Sequence, residues 1–127
     1  SSLNMEIAAE IIRSGLAWKI IQKKWAAAAE RNQIYASFFP DCDICMESYY
    51  QWLELPEYLT GRLCEAELSS RGVIVFGAER FYVGKQLKAN AVRVATSSAE
   101  SDEQLRRGLE VLQNFIQQRD AGPLFIV

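Results

Sequence analysis

The chain has 127 residues, of which half are hydrophobic and 24% are charged, and its formal net charge is −2. This size and composition predict a single domain, 1–127, with a core of its own. The slightly acidic balance argues against nucleic-acid binding through this domain, because such binders usually carry a basic face, and no apolar run is long enough to span a bilayer.

Two helices are predicted at the start of the chain. Ile7, Ile11 and Ile12 repeat at helical spacing and predict a helix over 3–13. A break at Ser14 and Gly15 separates it from a long helix over 16–37, which Pro40 ends. The predicted apolar face of the long helix consists of Leu16, Ile20, Ile21, Trp25, Ala28 and Ala29. Because this helix is long for the size of the domain, we expect parts of it to need a surface outside this chain.

A strand and a third helix are predicted in the middle of the chain. Residues 45–55 alternate and are rich in aromatic side chains, which favours a strand that Pro56 closes. Residues 57–70 carry apolar side chains at helical spacing, and Arg71 with Gly72 is typical of a helix end followed by a turn.

The last third predicts two strands and a closing helix. The run VIVF at 73–76 is typical of a buried strand, 77–89 of an irregular loop, and 91–96 of a second strand. Ser101 is a suitable N-cap for a helix whose apolar stripe is Leu105, Leu109, Leu112, Phe115 and Ile116. The order of elements predicts an α/β chain of the α+β kind, a two-layer sandwich in which helices cover one face of a small mixed sheet.

One arginine stands inside the last predicted strand. Arg93 lies in the apolar run AVRVAT, and a guanidinium keeps its charge and is poorly tolerated in an apolar setting without a partner. The residues alone leave two partners open. One is a local carboxylate such as Glu79 or Glu47, and the other is a bound carboxylate or phosphate.

Histidine is absent, which removes the commonest general base and metal ligand. The cysteines are Cys42, Cys45 and Cys64, and the first two have C-x-x-C spacing. That pair leads into a predicted strand, whereas a thioredoxin-like pair opens a helix. Three thiols without histidine also fall short of the four ligands of a zinc site. We therefore favour three reduced thiols over a metal or redox site.

Five segments resemble a known arrangement when they are taken in order. They are 10–15 (EIIRSG), 50–56 (YQWLELP), 70–77 (SRGVIVFG), 91–95 (AVRVA) and 102–112 (DEQLRRGLEVL). The series resembles the C-terminal small domain of fold-type-I pyridoxal-phosphate (PLP) aminotransferases, and in particular the aminotransferase-like part of MocR/GntR-type transcriptional regulators. The chain departs from the family's pattern at two places. Glu47 and Ser48 stand where a glycine pair is usual, and Phe76 stands where a proline usually precedes the glycine.

The resemblance implies a role for Arg93 and places the catalytic centre elsewhere. It implies that Arg93 binds the α-carboxylate of an amino acid through two parallel N–H donors. It also implies that the Schiff-base lysine and the remaining PLP site lie in a large domain upstream, linked through helix 3–13. This chain would then contain no catalytic, cofactor-binding or metal residue and would bind no PLP alone. We accordingly interpret Lys19, Lys23, Lys24, Lys85 and Lys88 as surface lysines.

The resemblance implies that this chain is part of a longer protein, and two kinds of protein stay open. One is an aminotransferase, and the other is a regulator that senses an amino acid or another carboxylate ligand. The basic helix and the diverged loop favour the regulator, a cytoplasmic homodimer with its DNA-binding winged helix upstream and no membrane contact. Phe81 and Tyr82 either close over the ligand or pack on the large domain or a second subunit. The alternative from a different class is a small free-standing interaction domain that dimerises through its apolar faces without catalysis.

Overall fold

Four α-helices, three short strands and one 3₁₀ turn make up the described part of the chain, residues 2–81 and 90–120 of a computed structural model. Their bounds are α1 Ser2–Arg13, α2 Leu16–Phe38, β1 Gln51–Glu54, α3 Gly61–Ser70, β2 Phe76–Gly77, the 3₁₀ turn Ala78–Arg80, β3 Ala91–Val94 and α4 Asp102–Asp120. The predicted order of helices and strands is confirmed.

The strands form one antiparallel sheet in the order β1-β3-β2. Across β1 and β3, Leu53 pairs with Val92 and Trp52 with Arg93, while Phe76 of β2 pairs with Arg93 from the other side. Both pairings are antiparallel, so the prediction of a mixed sheet is wrong for the described strands. Helices pack on the face that carries the buried Leu53 and Val92, which confirms the two-layer α+β sandwich.

The hydrophobic core lies between this sheet face and helices α2, α3 and α4. Its buried members include Ile34, Tyr35, Leu53, Leu59, Cys64, Leu68, Val92, Val94, Leu105, Leu109, Leu112 and Phe115. The apolar stripe predicted on α4 is therefore confirmed, with Ile116 partly buried against the same cluster. Two polar contacts join α4 to α2. Gln113 donates to the carbonyl of Phe38 at 2.9 Å, and Arg31 pairs with Asp102 at 2.8 Å.

The ends of α3 are defined by local hydrogen bonds. The Thr60 side chain accepts from the amide of Leu63 at 3.1 Å, so the helix begins at Gly61 and not at Glu57 as predicted. At its other end Gly72 has φ 83°, and the amides of Gly72 and Val73 donate to the carbonyls of Ser69 and Leu68. This is the Schellman arrangement, and the predicted end of the helix is confirmed.

The start of α3 touches β2 directly. A Cβ atom on Gly61 would lie 2.5 Å from the Ala91 carbonyl oxygen, and one on Gly77 would lie 2.7 Å from the Gly61 carbonyl carbon. Glycine at both positions therefore permits backbone-to-backbone contact between the helix and the sheet.

The predicted N-cap of α4 is also confirmed, since Ser101 Oγ accepts from the amide of Gln104 at 3.1 Å.

Three strand predictions are wrong in extent. Of 45–55 only β1 is a strand, and the preceding 45–50 form turns. Of the run VIVF only Phe76 enters the sheet, and the Ile74 side chain is 75% exposed. The strand predicted over 91–96 ends at Val94. The apolar and aromatic residues favour extended chain locally, but the ladder extends only where a partner strand runs alongside. In the predicted loop 77–89, Gly77 belongs to β2 and Ala78–Arg80 form the 3₁₀ turn, while 82–89 lie outside the described residues.

Candidate functional site

Arg93 lies on the central strand of the sheet, on the face away from the core. Successive residues of a strand point to opposite faces, so Arg93 points away from the side on which Val92 is buried. Its cross-strand neighbours on that face are Trp52 in β1 and Phe76 in β2. A row formed by Trp52, Arg93 and Phe76 therefore crosses all three strands.

Aromatic rings surround the guanidinium of Arg93. Its Cζ atom lies 4.1 Å from the ring centroid of Tyr50, 4.3 Å from that of Phe81 and 5.9 Å from that of Phe76. Phe81 also packs edge-on against Trp52, with their centroids 5.5 Å apart. A ring face attracts a cation that lies over it. Within the described residues, the partners of this charge are therefore aromatic rings.

No carboxylate pairs with Arg93 in the part of the chain that the structure describes, where the ion pairs are Arg13–Glu10, Arg31–Asp102 and Arg80–Glu65. Of the two local carboxylates considered from the sequence, Glu79 accepts from the backbone amide of Arg62 at 2.8 Å and Glu47 is exposed. The Nε atom of Arg93 is buried and makes no hydrogen bond to a described residue. The guanidinium is thus partly desolvated and keeps N–H donors for an anion.

A surface pocket of about 630 Å³ opens beside Arg93. Its other lining residues come from the turns before β1 and from β1 itself: Asp43, Ile44, Cys45, Ser48, Tyr50, Gln51 and Trp52. The pocket thus combines one guanidinium, two aromatic rings and one carboxylate. This lining suits a small ligand with a carboxylate at one end and an apolar or planar portion beside it.

Asn32 of α2 holds the turn segment that carries Tyr50. Its side chain is fully buried, and Nδ2 donates to the carbonyls of Met46 at 2.7 Å and Ser48 at 2.8 Å, with a longer contact of 3.3 Å to that of Cys45. Its Oδ1 accepts from the Thr96 hydroxyl at 2.8 Å. Both ends of the amide are therefore used, and the carbonyls of the turn are satisfied away from water.

Gln51 and Ser48 complete the support of this segment. The buried Gln51 side chain donates to the Cys45 carbonyl at 2.7 Å and accepts from the Cys45 amide at 3.3 Å. The Ser48 hydroxyl donates to the Tyr50 carbonyl at 2.7 Å and accepts from the Tyr50 amide at 3.1 Å. The turn before β1 is therefore fixed by side chains, which sets the position of Tyr50 beside Arg93.

The three cysteines are free thiols in different surroundings. Cys64 is buried in the core, and burial raises its pKa to about 11. Cys42 is half-buried, and burial, followed by the carboxylates of Asp41, Glu54 and Asp43, raises its pKa. Cys45 is exposed at the pocket. A raised pKa lowers the thiolate fraction and with it the reactivity of Cys42 and Cys64 at neutral pH. Within 2–81 and 90–120 no three metal-ligating side chains gather at one place.

The other residues singled out from the sequence do not meet at Arg93. Lys19, Lys23 and Lys24 are exposed on α2. Tyr82, Lys85 and Lys88 lie outside the described residues. Phe81, in contrast, contacts both Arg93 and Trp52.

Sequence reasoning missed three supporting residues of the site, namely Asn32, Gln51 and Tyr50. Side chains alternate between the two faces of a strand, so Trp52 and Phe76 could have been assigned to the face of Arg93. That assignment required the correct register between the strands. Asn32 gave a weaker signal, as a residue of low helix propensity within a long helix.

No helix in the described part of the chain is both long enough and apolar enough to cross a membrane.

Comparison with known proteins adds two similarities to this geometry, while no protein-family model matches the chain. The chain is 30% identical over 118 residues to the uncharacterized HTH-type transcriptional regulator YdeF of Bacillus subtilis (strain 168), covering 91% of this chain and 26% of that protein. It superposes with a TM-score of 0.67 and 22% identity on the crystal structure of an archaeal alanine:glyoxylate aminotransferase, covering 89% of this chain and 29% of the other.

The chain therefore spans about a quarter of the length of the regulator that it matches. The structural similarity shows the fold, and the sequence similarity relates the chain to part of a regulator. Both agree with the resemblance seen in the sequence, which is thereby confirmed: the chain has the fold of an aminotransferase small domain and is similar in sequence to part of an HTH-type transcriptional regulator.

Proposed function

We propose that this chain is the effector-sensing small domain of a MocR/GntR-type transcriptional regulator and that Arg93 binds the carboxylate of an amino acid or a related ligand. The observation that carries the proposal is the state of Arg93. Its guanidinium opens onto a pocket, its Nε atom is buried, and within the described residues it has neither an ion pair nor a hydrogen bond at Nε.

Arginine suits this task because its planar fork presents two parallel donors that match a carboxylate. The aromatic rings leave the charge unneutralised, so a carboxylate that enters the pocket meets a full positive charge in a partly dry setting. An electrostatic contact is stronger there than in bulk water.

Pyridoxal phosphate belongs, in this proposal, to a large domain of the longer protein, where it would supply the aldehyde that reacts with an amino group. The residues described here fit the carboxylate end of a ligand and not the attachment of the cofactor, since none of those that line the Arg93 pocket is a lysine. The exposed apolar residues on the first half of α2, among them Trp18 and Trp25, support an interface with a large domain or a second subunit of a longer protein.

Ligand titrations of the longer protein test this role. We expect amino acids to bind and their amides, which lack the carboxylate, to bind about tenfold more weakly or not at all. Arg93→Lys should produce a similar loss, because lysine keeps the charge but not the fork. Arg71→Lys is the matched control, since Arg71 also lies over a ring, that of Phe115, but away from the pocket. Unchanged affinity in Arg93→Lys would contradict the proposal.

The same preparation distinguishes a regulator from an enzyme. A regulator should change its affinity for DNA when the amino acid is added, and it should not turn the amino acid over. Steady conversion of an amino acid to its keto acid would favour the aminotransferase alternative.

A further inference from the structure

The rings around Arg93 come from three separate parts of the chain. Tyr50 precedes β1, Phe76 lies in β2, and Phe81 follows the 3₁₀ turn. Tyr50 and Phe81 are the nearer two, with centroids 4.1 and 4.3 Å from the guanidinium carbon. At these distances both rings contact the guanidinium itself and not only the aliphatic stem.

The backbone of Tyr50 and the ring of Phe81 each have contacts that do not involve Arg93. The Ser48 hydroxyl bonds to the backbone of Tyr50, and the buried Asn32 side chain donates hydrogen bonds to carbonyls of the turn before it. Phe81 packs edge-on against Trp52. Rings that lie against the guanidinium from two parts of the chain restrict a long side chain that would otherwise sample many rotamers. A ring face attracts the cation without consuming a conventional hydrogen-bond donor, so the N–H groups stay available.

We propose that Tyr50 and Phe81 are positioning residues that hold the guanidinium of Arg93 in one orientation, ready for a carboxylate. That the ligand is a carboxylate rests on the proposed function, whereas the orientation of the guanidinium by the rings does not. The cation–π contact of Tyr50 thereby lowers the conformational cost of binding.

The test observes the Nε–H group of Arg93 by ¹H–¹⁵N NMR in the 127-residue chain. In the unaltered chain we expect a sharp signal that is displaced by the ring currents and exchanges slowly with water, because Nε is buried. Tyr50→Leu should move this signal toward the position of a free arginine, and Tyr50→Phe, which keeps the ring, should leave it in place. Phe81→Leu provides a second variant if Tyr50→Leu does not fold, and thermal unfolding monitors all three.

Acetate is then the carboxylate probe, with Arg93 Nε–H as the readout. We expect acetate to bind about threefold more weakly to Tyr50→Leu than to the unaltered chain, and equally well to Tyr50→Phe. An Arg93 signal that Tyr50→Leu and Phe81→Leu both leave unmoved would overturn the proposal. So would a signal that moves without any change in acetate affinity. If acetate does not bind the unaltered chain at all, the proposed function fails, while the signal still decides whether the rings orient Arg93.

Discussion

The two halves of α2 both carry apolar residues, but those of the first half are exposed and those of the second half are buried. Residues 16–27 carry Leu16, Trp18, Ile20, Ile21 and Trp25, all of which are between 39% and 54% exposed. Residues 28–38 carry Ala28, Asn32, Ile34 and Tyr35, all of which are 8% exposed or less. One continuous helix therefore has an apolar half in solvent and an apolar half in the core.

The difference comes from what lies beside each half. The second half faces the core cluster and α4, and Arg31 joins it to Asp102. The first half follows α1 in the chain, and Met5 and Ile12 of α1 are themselves exposed. Hydrophobic residues alone therefore do not decide which part of the helix stabilises the domain. Burial does, because the hydrophobic contribution scales with the apolar area removed from water.

Replacing one isoleucine with alanine in each half of α2 should give the largest difference in the free energy of unfolding. Ile34→Ala in the buried half should lower the free energy of unfolding by about 3 kcal/mol, because it removes packed methylene groups and leaves a cavity. Ile21→Ala in the exposed half should lower it by less than about 1 kcal/mol. Urea unfolding of both variants measures the two effects. Equal losses would contradict the assignment of stability to the second half.

Asn32→Ala should have the second largest effect and lower the free energy of unfolding by about 2 kcal/mol. The substitution leaves the partly buried carbonyls of Met46 and Ser48 without their donor. Gln33→Ala, at the neighbouring exposed position, is the control and should have almost no effect. The Asn32 variant should also broaden the Arg93 Nε–H signal, because the turn that carries Tyr50 loses its support. A stable variant with an unaltered signal would remove Asn32 from the account of the site.

Tyr35→Phe should have the smallest effect at neutral pH. The Tyr35 hydroxyl is buried and makes no hydrogen bond to a described residue, so its loss should change the free energy of unfolding by less than about 1 kcal/mol and can increase it. Burial, followed by the nearby Cys42, raises the pKa of Tyr35 well above its ordinary value of 10.0.

The raised pKa of Tyr35 gives the variant a distinct alkaline behaviour. Below about pH 9 the phenol is protonated in both the folded and the unfolded chain, so it adds no pH dependence. As pH rises through 10, the ordinary pKa, the unfolded chain loses this proton first, and the unaltered chain loses stability. Tyr35→Phe should lose less between pH 9 and about pH 11. Parallel stability curves for the two proteins would contradict the burial of this hydroxyl.

Most of the fold follows from local patterns. The stripe on α4, its cap at Ser101 and the glycine end of α3 depend on neighbours within a few residues, and all three were predicted correctly. The strand limits were wrong because they depend on where a partner strand runs, which lies outside any local window. For the same reason the apolar face of α2 was predicted largely in the wrong half: Leu16, Ile20, Ile21 and Trp25 are exposed, whereas Ile34 and Tyr35, which were not assigned to that face, are buried in the core.

The site was predictable only in part. Arg93 was identified because a charge in an apolar strand is conspicuous. Its contacts with Tyr50 and Phe81 bring together residues 43 and 12 positions away in the chain, and they depend on the register of three strands and on the turn held by Asn32. The sequence suggested an anionic partner, and the described structure supplies aromatic rings instead.

A crystal structure of the chain grown with a saturating amino acid would test the role of Arg93 most directly, because it would show what Arg93 binds. We expect both carboxylate oxygens within about 3 Å of the Arg93 guanidinium nitrogens, with the rings of Tyr50 and Phe81 still in contact with the guanidinium. A guanidinium paired with Glu79 or Glu47, or an amino acid bound elsewhere while Arg93 stays empty, would contradict it.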